Sequence, residues 1–168
     1  MTRIPDPTLM ARLQLSIKGV EWAAGLVQPY QYEIPPDGGW TAHRQIWHLV
    51  DAEQHRLRPR LQALLEQDNP ELITIGHEEG ERYTTDEDIT VLAQRMITER
   101  ETTTEILKGL AEGDWSRKGL WADGRVVDVA WMAERCLWHG LDHFASLLRI
   151  HNDLEGQQAL RWHEESEG

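Results

Sequence analysis

Apolar residues recur at helical spacing in four stretches of the chain, and no stretch alternates with a period of two. In the first, Met10, Leu13, Ile17, Val20, Ala24 and Val27 form one stripe. Asp6 suits a capping position ahead of it and Pro7 the first helical position. Pro29 and the segment IPPDGGW end the stretch. The second opens near Thr41, whose hydroxyl suits an N-cap, and reads TAHRQIWHLVDAEQHRLRPRLQALLEQ, with Leu49, Ala52, Leu61 and Leu64 on its apolar side. Pro59 lies inside this pattern, lacks an amide hydrogen and is predicted to kink or divide the helix. The third opens with Thr84 and Glu87 at capping-box spacing and continues through Ile89, Leu92, Met96, Thr103, Leu107 and Leu110. The fourth runs from about Asp128 to about Asn152, where Met132, Cys136, His139, His143, Leu147 and Ile150 step by three or four.

Four such helices of roughly 20–27 residues would each be ~30–40 Å long. They predict an all-α fold without a sheet, a four-helix bundle. Two connections, residues 69–83 and 112–125, exceed a minimal turn and can cross over the bundle or cover one end. Residues 1–155 make the bundle in this reading. Residues 156–168, polar and acidic, form a loosely held tail.

Charge narrows the partners. The chain of 168 residues has a formal net charge of −12 and a pI near 5.0. A duplex nucleic-acid binder needs cations to neutralise phosphates, and an anionic membrane makes the same demand, so neither partner is expected. No stretch is long and apolar enough to span a bilayer, and the opening MTRIPDPTLM lacks the basic-then-apolar pattern of a secretion signal. Cys136 is the one cysteine, which fits a reducing cytoplasm. Eight histidines and eight tryptophans stand against a single Phe.

The histidines carry the candidate chemistry. His139 and His143, in RCLWHGLDHF, lie one turn apart on the inward stripe of the last helix. Burying two imidazoles without partners costs free energy, and a shared cation removes that cost. A catalytic zinc-type site needs a third protein ligand. His48 is the strongest candidate, being mid-helix between Trp47 and Leu49. His55 is in reserve. His43, His77, His151 and His163 are placed less well: in a first turn, an acidic loop, two turns too far on, and the tail. Asp51, one turn after His48, can orient an imidazole or accept a proton, or else pair with Arg44 or Arg58. Arg44 can meet an anionic substrate at the mouth of the site, and Trp121 can line its pocket. Cys136 reads as a small buried hydrophobe, with a fourth metal ligand as the alternative. Glu53 and Asp142 read as solvated or as part of a rim.

The segments GGWTAHRQIWHLVDAE and HGLDH resemble those of the DinB/YfiT-like superfamily of metal-binding four-helix bundles. That family's pattern, one histidine in the second helix and a His-x-x-x-His pair in the fourth, maps onto His48, His139 and His143. The resemblance implies a mononuclear divalent site, often zinc or nickel, and commonly a homodimer. Several relatives are thiol-dependent S-transferases or isomerases using low-molecular-weight thiols. Some of these carry His-x-x-x-His-x-Glu, whereas residue 145 here is Ala.

Two functional classes follow, with a third beside them. In the first, the protein is a metal-dependent enzyme, hydrolase or thiol S-transferase in type, acting on a small-molecule substrate with Asp51 handling a proton. In the second, the ion only cross-links helices or the protein binds a small molecule without turnover. In the third, a helical homodimer packs its histidines and holds no metal.

Overall fold

The computed structural model describes residues 6–76 and 82–166. Four helical rods make up most of it. They are α1 (Leu9–Val27), a second rod of α2 (Ala42–Ala52) and α3 (Arg58–Glu66) joined by a π-helical turn (Glu53–Leu57), then α4 (Ile89–Lys108) and α5 (Val129–Ser166). The rod holding α1 packs against α4 and α5, and α2 also packs against α4 and α5. Consecutive helices α1 and α2 are therefore diagonal, as are α4 and α5. This is the four-helix bundle with crossover connections that the four stripes predict.

The kink expected at Pro59 takes the form of the π turn just before it. Pro59 has no amide hydrogen to give the carbonyl of His55, four residues back. The chain answers by widening the turn, so that the amide of Arg58 reaches the carbonyl of Glu53, five residues back. Gly76 closes on the same place. Its φ is +78°, and a Cβ there would lie 2.0 Å from the carbonyl oxygen of His55. Only glycine allows the strand of loop after Leu72–Thr74 to approach the widened turn this closely.

The apolar stripes bury as two clusters. One gathers Ile17, Val20, Ile46, Leu49, Leu92, Met96, Leu147 and Ile150. The other gathers Leu9, Leu13, Leu61, Leu64, Leu107, Met132 and Cys136. Along α5 they leave a gap between Leu137 and Leu147, and His139 and His143 fall within it.

Three boundaries differ from the pattern. A two-stranded antiparallel hairpin, β1 (Lys118–Leu120) and β2 (Val126–Asp128), stands where no sheet is expected. Three residues per strand are too few to show alternation. The last helix runs on to Ser166, past the predicted end near Asn152: the segment EGQQALRW has no proline, and its one glycine, Gly156, costs only about 1 kcal/mol among good helix formers. The cap of α4 is Asp88, not Thr84. The Asp88 carboxylate accepts from the Thr90 hydroxyl at 2.6 Å, the Gln31 amide at 2.8 Å and the Thr90 backbone amide at 2.9 Å. The Thr41 cap is as expected, accepting from the Arg44 amide at 3.2 Å.

The Asp88 bonds, the Thr90 hydroxyl first, hold its carboxyl well below the usual carboxylate range. Its contribution is therefore present above an unfolded pKa of about 4 and is lost as pH falls through the lower folded value. Asp88→Ala is expected to cost about 1 kcal/mol at neutral pH. Urea melts of the two proteins should converge as the pH drops below ~3.

Candidate metal centre

His48 stands one turn before the π segment, on the side of α2 facing α5, and is 9% exposed. His139 and His143 face it from successive turns of α5. The three ring centroids form a nearly equilateral triangle, with separations of 5.0, 4.8 and 4.8 Å. One nitrogen from each ring can be chosen so that all lie within 4.8 Å of one another. The Nε2 atoms of His48 and His139 are 2.9 Å apart.

Burial sets the charge of these rings. It is the main cause pushing His139 down to about 2, helped by the nearby His143 and His48. Burial, then His48 and Arg56, pushes His143 down to about 4. Both are neutral at physiological pH and keep a lone pair for a cation. The side-chain Oε1 of Gln45 accepts from His143 Nδ1 at 2.6 Å, which leaves Nε2 of that ring for a cation.

His43 supplies the contrast of a satisfied core histidine. Its Nδ1 bonds the Tyr83 hydroxyl at 3.0 Å and its Nε2 the carbonyl of Glu87 at 2.8 Å. His139 has no such pair of anchors: its Nδ1 is buried without a partner. The donor set, three imidazoles with converging nitrogens, fits a divalent ion of the zinc type.

Other candidates sit elsewhere. Both carboxylate oxygens of Asp51 are taken by Arg82, at 2.9 and 3.0 Å. That pair lines a cavity with Trp47, His55 and Arg95, apart from the three histidines. Neither Arg44 nor Arg58 is its partner, since Arg58 pairs with Glu99 at 2.7 Å. Arg44 stacks between Trp40 and Tyr83, 4.7 and 5.3 Å from their centroids. Trp40 in turn lies 5.0 Å from His48, so Arg44 is one ring removed from the site. His151 pairs with Tyr30 and Glu155. His77 and the His163 side chain lie outside the described residues. Cys136 is wholly buried, its thiol pushed up to about 12 by burial, and is not part of the histidine group. Glu53, read as solvated, is instead fully buried against Arg100.

Trp121 comes from the loop of the hairpin. It lines a cavity of about 190 Å³ whose walls include His48 and His139. Arg56, Arg60 and Arg135 line the same cavity, and sequence reading missed all three. Arg56 Nη2 is 3.4 Å from His48 Nδ1, a long contact.

A family model described as the DinB superfamily matches residues 21–147. The chain belongs to the DinB superfamily. Among solved structures, this DinB protein is similar to YfiT from Bacillus subtilis, described as a probable metal-dependent hydrolase with an unusual four-helix bundle topology. The TM-score is 0.76 and the identity 17%, over 88% of this chain and 86% of that one. It is also similar to a DinB-like protein of Bacillus subtilis, YjoA, with a TM-score of 0.59 and 16% identity, over 88% of this chain and 92% of that one. No curated protein matches the sequence. Among the described residues of this DinB protein, no helix is long and apolar enough to cross a membrane.

Proposed function

We propose that His48, His139 and His143 hold a divalent cation and that the protein is a metal-dependent hydrolase acting on a small molecule. One observation carries this reading. Three imidazoles converge beside a cavity, and no fourth His, Cys, Asp or Glu among the described residues joins the group. Structural zinc sites close with four protein ligands, whereas catalytic sites take three and keep a position open. The description of YfiT supports the same reading.

Zinc or nickel bound there would supply Lewis acidity, which polarises a carbonyl and brings the pKa of water or a thiol into the neutral range. The protein's own residues set the conditions for this. Gln45 fixes the tautomer of His143. Trp40 packs on the His48 ring and keeps solvent from that side. Burial keeps His139 and His143 unprotonated. Arg56, Arg60 and Arg135 make the cavity wall cationic, which favours a substrate that develops negative charge in the transition state. A low-molecular-weight thiol in place of water would turn the same site to S-transfer, and only the acceptor of the cleaved group would differ.

The test is a panel of esters, amides and lactones, plus electrophiles with an added thiol, run on metal-loaded protein and on His48→Ala. Turnover of at least one member is expected, reduced roughly 100-fold or more in the variant. A rate that rises with thiol concentration would assign S-transfer. Equal rates for the two proteins would leave the histidines a structural role only.

A further inference from the structure

The cavity beside the histidines is unusual for a chain with a net charge of −12. Its lining contains three guanidinium groups, Arg56, Arg60 and Arg135, and no carboxylate among the described residues. Arg60 is 8% exposed and held in a fixed attitude. Its Nε donates to the carbonyl of Ile75 at 3.0 Å, and its guanidinium lies 5.0 Å from the centroid of Trp121. Burial, then the neighbouring charges of Arg56 and Arg135, lowers its pKa, so the three groups face one another as like charges. Arg60 is a buried cation with the like charge of Arg135 near it and no carboxylate of the described residues in the cavity lining, an arrangement that an anion would relieve. Arg135, on α5 one turn before His139, is exposed and reaches the cavity from its open side.

Trp121 and Arg135 also line a second, larger cavity of about 420 Å³, whose other walls include Trp131 and Trp138. Trp121 and Trp131 meet edge to face, 5.0 Å apart. Trp138 is 58% exposed, an odd position for an indole with no apolar cover. The two cavities meet at Trp121 and Arg135, so a ligand seated at that edge can reach both sides: a charged end toward Arg60 and a flat apolar end toward Trp131 and Trp138.

We propose that this double cavity binds a small aromatic carboxylate, its carboxylate gripped by Arg60 and Arg135 next to the three histidines and its ring lying against Trp121, Trp131 and Trp138. Carboxylate is preferred because the planar guanidinium of Arg60, locked by its backbone bond and its stack, presents the geometry that suits a planar anion. The inference rests on the metal-dependent reading and names the class of molecule that site accepts, yet the arginine half is complete without an ion.

The experiment is calorimetry with 3-phenylpropionate, 3-phenylpropanol and phenyl phosphate, on chelator-treated and metal-loaded protein. Metal content is measured on the same samples. The carboxylate is expected to bind at least about tenfold more tightly than the alcohol of equal length. Arg135→Gln, a change at an exposed position, should erase that difference. Arg60→Lys, which keeps the charge and loses the fork, should weaken the carboxylate and leave the alcohol unchanged. Equal affinity for carboxylate and alcohol, a preference that survives Arg135→Gln in folded protein, or tighter binding of phenyl phosphate would each overturn the proposal. Should the protein retain no metal while the carboxylate preference persists and is lost in Arg135→Gln, the anion site stands and the metal-dependent reading alone falls.

Discussion

Stripped with chelator and titrated with zinc or nickel, the protein is expected to take up one equivalent, and His139→Ala none. His139 is one corner of a triangle in which each ring faces the other two, its centroid 5.0 Å from His48 and 4.8 Å from His143. Without it, two imidazoles on different helices remain, too few to hold an ion against water. The thermodynamic signature is linkage. Metal at about a thousand times its Kd should add about 4 kcal/mol to the stability of the wild type and nothing to the variant. Apo stabilities should be close, since the substitution removes a buried Nδ1 that has no partner. Gln45→Ala should fall between, keeping all three ligands but losing the bond that orients His143, with affinity reduced ~10–100-fold. Isothermal titration with thermal melts reads all three proteins. Less than about a tenth of an equivalent in metal-loaded wild type would show that the histidines merely pack.

The second large effect concerns stability. Glu53→Ala is expected to cost about 3–5 kcal/mol, measured as a drop in the urea midpoint. Glu53 and Arg100 are 0% and 1% exposed, and the guanidinium meets both carboxylate oxygens at 3.1 Å. Arg100 Nη2 also donates to the carbonyl of Cys136 at 3.2 Å. Removing the acid strands a charge in the core, and that stranded charge accounts for most of the cost. Replacing both at once, Glu53→Leu with Arg100→Met, should cost less than either single change. The pair also bears on the site. Glu53 opens the π turn beyond His48, and Cys136 lies one turn before His139, so Arg100 ties together the helix segments that carry two of the histidines. Glu53→Ala should therefore weaken metal binding as well as folding. A loss under about 1 kcal/mol would show that the pair is solvated in solution.

The stripes show the four rods because each is long enough for period 3.6 to rise above noise, and the same periodicity sets His139 and His143 on an inward face, while His48 is singled out by its mid-helix place beside Trp47 and Leu49 and by the family resemblance. Arg60 is not legible in sequence for a geometric reason. At about 100° per residue, Arg60 lies roughly 120° around the helix from His48, which points it away. A turn closed five residues back sets all later residues back by about one position, which brings Arg60 to within roughly 20° of His48. Pro59 gave warning of a disturbance in the helix, but a kink and an extra residue look alike in sequence. The burial of Glu53 escaped for another reason: an acid on a helix reads as solvated until a partner such as Arg100 is known to lie opposite. Asp51 lies one turn after His48, and its partner Arg82 comes from a connection with no periodic pattern, so the pairing does not show in sequence.

His48 and His139 meet across 91 positions of sequence. A ribosome completes the first of these rings long before it makes the other two, and closing so wide a loop is slow unless helices α1 and α4 are already in place to guide α5 home. The triangle is thus among the last parts of the molecule to come together. Until α5 docks, His48 stands as a single imidazole, too few ligands to hold a divalent ion, so premature capture of a stray ion during synthesis is disfavoured.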